Sequence, residues 1–264
     1  MATIKDKIHF TYNGKSTKDF EMMNVSMNGG MFEETFVAGR AVNDELMAGS
    51  KRTIFNGVTK EQVTFELTIA FEKYFTEETI ENVIDWLYGR EYYSKLQFED
   101  NEKFVYAIPD GESTITHTGF NEGYITVSMK TNSPYMYKDI ITKTGTGATV
   151  ELDFESIGKT NPLMNIDVKK ETAGSGTSQD KDTIKITKDG YTLQINNVAL
   201  GETITIDPYE EDIKSSVDNV YHYKDVVGDM SKVGMTSKTN QYTITSLSGG
   251  DITATITYQP YFDK

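Results

Sequence analysis

Cysteine is absent from all 264 residues. That removes disulfide staples, thiolate nucleophiles and cysteine-ligated zinc or iron–sulfur centres. Proline is sparse, at 5, and tryptophan occurs once. No apolar run approaches the roughly 20 residues that cross a bilayer. The first residues, Met1-Ala2-Thr3-Ile4-Lys5-Asp6-Lys7, lack the apolar stretch of a secretory signal. The expectation is a chain made in the cytoplasm, with no membrane insertion. Basic residues are in the minority too: 26 Lys and Arg against 40 Asp and Glu, a net charge of −14. Without a Lys/Arg cluster, sequence-specific nucleic-acid binding is not expected. The acidic surplus reads as solubility, or as a surface that must not adhere to passing DNA.

Catalytic patterns are missing as well. The three histidines, His9, His117 and His222, are far apart, and no His-x-x-x-His or His-Glu-x-x-His spacing occurs. There is no Gly-x-Ser-x-Gly elbow, no phosphate loop ending in Gly-Lys-Ser/Thr, and no Gly-x-Gly-x-x-Gly after a strand. Gly174-Ser175-Gly176 reads as a flexible loop, and Asn24-Val25-Ser26 as a chance glycosylation match. The densest acidic cluster is Asp207, Glu210, Glu211 and Asp212, around Pro208 and Tyr209. It lacks the spaced acids and central glycine of a calcium loop and reads as a solvated turn. No catalytic, cofactor-binding or metal-ligating residue is assigned, and no enzymatic activity is expected.

What is present is strand-rich. Ile8-His9-Phe10-Thr11-Tyr12 alternates apolar and polar residues up to Asn13-Gly14, a pair suited to a hairpin turn. In Val63–Glu72 the residues Val63, Phe65, Leu67, Ile69 and Phe71 share one strand face. A helix over about 76–88 follows, with Thr76 as cap, Glu77 and Glu78 in the first turn and Gly89 as stop. Ile80, Val83, Ile84 and Leu87 form its buried stripe, with Trp86 beside them docking the helix on the sheet. Strands are then expected over 93–98, 103–108 and 123–130, with a turn at Pro109-Asp110-Gly111.

Thr131-Asn132-Ser133-Pro134 closes this unit, and the polar run Thr142 to Gly147 reads as a connector, giving domains 1–138 and 139–264. The second half carries strands at 183–186, 192–195 and 202–206. It also carries a pair, 242–245 and 252–256, that reads as a hairpin through Ser248-Gly249-Gly250-Asp251. Strands at this spacing without helices point to a β-sandwich. The stretch from Gly29 to Lys51 fits neither pattern and reads as an extended arm or interface loop.

These signals, in this order, resemble the distal tail proteins (Dit) of long-tailed, siphovirus-type phages of Gram-positive bacteria. The resemblance runs through Phe10-Thr11-Tyr12-Asn13-Gly14-Lys15-Ser16-Thr17-Lys18-Asp19-Phe20, the strand 63–71, and Phe75-Thr76-Glu77 to Trp86-Leu87-Tyr88-Gly89. It continues through Lys95-Leu96-Gln97-Phe98-Glu99-Asp100, Tyr106-Ala107, Thr131-Asn132-Ser133-Pro134-Tyr135, Gly201 to Asp207 and Ile252 to Tyr258. The resemblance implies a mostly β fold: an N-terminal sandwich or split barrel with one helix, 1–138, and a C-terminal galectin-like sandwich, 139–264. It also implies a homo-hexameric ring at the distal end of a virion tail, assembled in the host cytoplasm and passing DNA through its lumen. Implied partners are the major tail tube protein, a tail-associated hub or lysin protein, the tape measure protein and receptor-binding components. The rival readings are a carbohydrate-binding module or adhesin, suggested by 16 Tyr and 13 Phe, and a sandwich glycoside hydrolase with two facing carboxylates.

Overall fold

The computed structural model describes residues 9–25, 38–119, 121–155, 163–173, 181–236 and 240–263. The protein is mostly β and divides into two compact units, residues 1–138 with 263–264, and residues 139–262.

The first unit contains β1 (Phe10–Tyr12), β2 (Lys15–Ser16), β3 (Met22–Asn24), β4 (Arg40–Glu45), β5 (Ile54–Lys60) and β6 (Thr64–Phe71). After helix α1 (Glu77–Tyr88) come β7 (Ser94–Phe98), β8 (Val105–Pro109), β9 (Thr114–His117), β10 (Gly123–Thr131) and β11 (Tyr135–Tyr137). Eight of the strands form one antiparallel sheet in the order β2-β1-β7-β8-β10-β6-β3, with β9 also on β10. Asn13 and Gly14, at φ 49° and 77°, make the tight turn between β1 and β2, a conformation that Asn and Gly reach at least cost. Leu67 lies opposite Val127, and Ile69 opposite Ile125, so the alternating face of β6 becomes the core.

The helix starts where Thr76 Oγ1 accepts the backbone N–H of Thr79 at 3.1 Å. Its buried residues are Val83, Trp86 and Leu87. Trp86 is the centre of the packing, not a neighbour of it. Its ring stacks on Phe20 (centroids 4.6 Å apart) and Phe10 (5.9 Å), and its Nε1–H donates to the Tyr12 carbonyl at 2.8 Å. Ile84, expected in the buried stripe, is instead 54% exposed. The helix leans on the sheet through the 83/86/87 edge because a single large ring reaches further than the flanking isoleucines.

Two further differences from the sequence reading arise here. The chain after Pro109-Asp110-Gly111 does not reverse directly into β10. It first lays down β9, a four-residue strand exposed throughout, with Ile115 as its one apolar residue. The stretch read as an interface loop from Gly29 is in part a β-hairpin: β4 pairs with β5 from Arg40↔Lys60 to Glu45↔Ile54, with a bulge after Asn43. The remainder of that stretch, up to 37, lies outside the described residues.

The second unit contains β12 (Ile141–Gly147), β13 (Thr149–Phe154), β14 (Leu163–Lys170), β15 (Lys181–Lys188), β16 (Tyr191–Ala199) and β17 (Thr203–Asp207). It continues with β18 (Asp212–Ser215), β19 (Val226–Val227), β20 (Asn240–Ser246) and β21 (Ile252–Gln259), and the last strand, β22 (Tyr261–Asp263), begins in this unit and ends at Asp263, which counts with the first. Two five-stranded antiparallel sheets form, β12-β21-β14-β17-β18 and β13-β20-β15-β16-β19. Their inward residues, among them Ile166, Val168, Ile184, Ile186, Ile204 and Ile256, make one apolar core.

The supposed connector Thr142 to Gly147 is strand β12, an edge strand on β21. Thr142, Thr144 and Thr146 pair side chain to side chain with Thr257, Thr255 and Thr253 at 3.2, 2.9 and 3.1 Å. Its polar, glycine-spaced composition is that of an outward-facing edge. Gly145 is required there, because a Cβ would stand 2.5 Å from Val150 Cγ1, where the chain folds back into β13. The pair read as a hairpin, 242–245 with 252–256, is not one: β20 and β21 lie in opposite sheets, and Leu247 to Asp251 crosses between them. Replacing Trp86 by Ala is expected to lower the stability of the first unit by about 3–5 kcal/mol, read as a shifted urea midpoint; an unchanged midpoint would remove Trp86 from its central role.

Candidate functional site

The most conspicuous surface of the first unit is the β4–β5 hairpin. Every residue of β4 is exposed, and in β5 only Gly57 and Lys60 are half-buried. Val42, Leu46, Met47, Ile54, Phe55 and Val58 are all exposed, Phe55 to 66%. A lone two-stranded hairpin is marginal in water, and contiguous bare apolar side chains of this density are characteristic of interaction surfaces. At its root, the Lys60 ammonium sits 5.2 Å from the Tyr135 ring centroid, holding the hairpin to the sheet end. Hairpin strands so exposed on both faces show no alternation, so periodicity could not reveal them. Exposed apolar residues in a segment without a core pattern were the available signal.

The second unit contains two buried polar clusters, and neither was visible in the sequence. In the first, Lys170 at the end of β14 is fully buried, and its Nζ lies 3.2 Å from Asp182 Oδ2 at the start of β15. Asp182 also accepts from Ser248 Oγ (2.7 Å), Ser248 N (3.0 Å), Thr183 N (2.6 Å) and the Ser246 hydroxyl. Burial opposes ionisation of Asp182, but these donors together outweigh it and hold the carboxyl below its ordinary range. The cluster joins one sheet to the other at the Leu247 to Asp251 crossover.

In the second cluster His222 Nε2 donates to Glu202 Oε1 at 2.8 Å, and Glu202 also accepts from Ala199 N (2.7 Å) and the Ser215 hydroxyl. The other ring nitrogen, Nδ1, is 3.2 Å from Asp225 Oδ2 but not aligned for a hydrogen bond. Glu202 is likewise held below its ordinary range, because Ser215, Ala199 and His222 overcome the effect of burial. The order of contacts is serine to glutamate to histidine, so the imidazole does not meet the hydroxyl that it would have to deprotonate in a hydrolase. The arrangement clasps the long connection between β18 and β19.

The other residues singled out above are dispersed. His9 Nδ1 lies 3.0 Å from Thr17 Oγ1, and His117 is exposed on β9. Among the described residues no group of three or more His, Asp or Glu is placed to hold a metal. Asp207 caps its own turn, accepting from Tyr209 N (2.8 Å) and Glu210 N (3.1 Å), while Asp212 pairs with Lys214 at 2.9 Å. The acidic cluster is therefore a turn. Tyr209 and Tyr221 are exposed on loops and Tyr223 at the start of the 3-10 turn Tyr223–Asp225, and they share no sheet face. Asn24 is buried; Ser26 and Gly174-Ser175-Gly176 lie outside the described residues.

Residues 5–133 match the family model described as the phage tail protein N-terminal domain. An uncharacterised SPbeta prophage-derived protein of Bacillus subtilis strain 168, YomH, is 26% identical over 227 residues, covering 84% of this chain and 87% of that protein. Among solved structures, the Dit protein of phage SPP1, described as a paradigm of the hub adsorption apparatus in Gram-positive-infecting phages, matches with a TM-score of 0.62 and 15% identity. That match covers 97% of this chain and 99% of the SPP1 protein. A chain of the phage p2 baseplate matches at a TM-score of 0.47 and 7% identity. Residues 5–133 thus resemble a phage tail domain, and the full chain shares the fold of the SPP1 Dit protein, in agreement with the resemblance read from the sequence.

Both buried carboxylates have native values below their unfolded ones. Their contribution is therefore fully present above about pH 4.5 and lost as pH falls through the native values. Urea midpoints measured from pH 7 to pH 3 should fall most steeply at the acid end, and less so in Glu202→Gln. Asp182→Ala, which strands Lys170 without its counter-charge, should cost about 3–5 kcal/mol; a loss under 1 kcal/mol would contradict the clasp.

Proposed function

We propose that this chain is a structural distal tail protein. Residues 1–138 form a hexameric ring at the tip of a phage tail, and residues 139–264 are a galectin-like docking platform. The observation that carries this reading is the agreement of fold with the SPP1 Dit protein over 97% of the chain, joined to the phage tail domain match over residues 5–133. The exposed β4–β5 hairpin supports it, since a ring subunit needs apolar surface that is covered only on assembly.

In this role the ring joins the tail tube protein on one side to a hub protein on the other, with the tape measure and receptor-binding components as further contacts. No chemical step is required of it. The acidic surplus of −14 suits a lumen that DNA crosses without adhering.

One second reading is sugar binding by the C-terminal unit, for which the exposure of Tyr209, Tyr221 and Tyr223 speaks and against which their lack of a shared sheet face speaks. Binding on a glycan array would support it. For the ring, native mass measurement and negative-stain imaging of the full chain should show six-fold particles. A monomer at every concentration up to the highest soluble one, also with a tube or hub protein added, would refute the reading. A strongly basic lumen in such a particle would separately refute the account of the charge.

A further inference from the structure

A shallow apolar groove of about 150 Å³ opens between helix α1 and the β9–β10 hairpin. Ile80, Ile84, Leu87 and Tyr88 of the helix face Ile115 and Ile125 across it. The rim residues Ile84 and Ile115 are exposed, to 54% and 41%. Cavities of this size and lining accept a phenyl ring. Leu87 and Ile125 are the buried floor of the groove, while Ile84 and Tyr88 are helix side chains left uncovered when Trp86 took the central packing position.

The first unit also carries a matching projection. The segment Leu46 to Phe55, from the end of β4 into β5, includes Lys51 and Arg52 and no acidic residue. The helix beside the groove includes Glu77, Glu78, Glu81 and Asp85 and no basic residue between 77 and 88, and Glu112 directly precedes Ser113, which lines the opposite side. Lys73, which pairs with Glu21, and Arg90, just past the helix end, are the opposing charges nearest in sequence. Phe55 is the most exposed apolar side chain of the hairpin. The hairpin's exposure on both faces shows that it does not fill this groove on its own chain.

We infer that the β4–β5 hairpin of one copy docks on the α1/β9 groove of the next copy, with Phe55 as the apolar anchor and Lys51 and Arg52 against the acidic helix. The inference rests on the ring reading above and names the contact that closes it. Such an interface is heterologous: donor and acceptor surfaces differ, so each copy uses both, and repeated docking runs head to tail until the rotation closes. The apolar anchor supplies most of the affinity, while the charges steer the approach and exclude the reversed pairing.

The absence of native cysteine makes the test clean. Phe55→Cys and Ile84→Cys are made as separate full-length proteins, with Ile115→Cys as a second acceptor; all three positions are exposed, so folding should be retained. On mixing and mild oxidation, Phe55→Cys is expected to form a covalent heterodimer with one or both acceptors. The double variant Phe55→Cys/Ile84→Cys should give a ladder of covalent multimers. Phe55→Ala should weaken association roughly 10-fold or more. Lys51→Glu/Arg52→Glu should weaken it at low salt and be rescued by Glu81→Lys/Asp85→Lys.

Rings that assemble without any Phe55–Ile84 or Phe55–Ile115 cross-link would overturn the inference and leave the ring reading intact. A protein that neither assembles nor cross-links would overturn both. Cross-linked head-to-tail chains that never close would uphold the contact and refute the closed ring.

Discussion

Lys170 is fully buried in the C-terminal unit and paired with Asp182 at 3.2 Å, and the sandwich depends on that pair. A chain without cysteine cannot close two facing sheets with a disulfide. Here the link is polar instead: the lysine comes from one sheet, the aspartate from the other, and Ser246 and Ser248 from the strand and loop that pass between them. Once desolvated, these charges tolerate little misplacement, because each loses its water only if its partner is in reach. The cluster therefore specifies where β20 stops and where the chain must change sheets.

The first unit is organised by a single aromatic centre. Trp86 joins the helix to β1 through the Tyr12 carbonyl and to the 3-10 turn Thr17–Phe20 through the Phe20 ring. Its dominance has a consequence on the other side of the helix. Ile84 and Tyr88 are left facing outward beside β9, and the charges around them are all of one sign up to the helix end. Packing inside the unit thus shapes a surface outside it, and the hairpin β4–β5 presents side chains of complementary character.

Helix α1 was legible because its cap, first-turn acids and stop are local signals, each acting within one turn of chain. The turn at Asn13-Gly14 was legible for the same reason: both residues adopt positive φ. Strand β12 was missed because an edge strand lined with threonine on the water side looks like a linker. Strands β4, β5 and β9 were missed because exposed strands need not alternate. The false hairpin at Ser248 to Asp251 arose because a polar glycine-rich turn connects strands within one sheet or between two with the same residues.

The sequence by itself determined the strand-rich class, the helix, the buried face of strands such as β6 and the lack of any familiar catalytic pattern, since propensity, capping and two-residue periodicity act locally; the core strands β13 and β14 were not read from it. Only the tertiary structure decided which strands pair, which sheet each enters and which polar residues meet. Lys170 and Asp182, Glu202 and His222, or the helix and β9 come together through packing between distant segments. Alternation records which side of a strand avoids water, and it carries no information about the neighbour that will accept its hydrogen bonds.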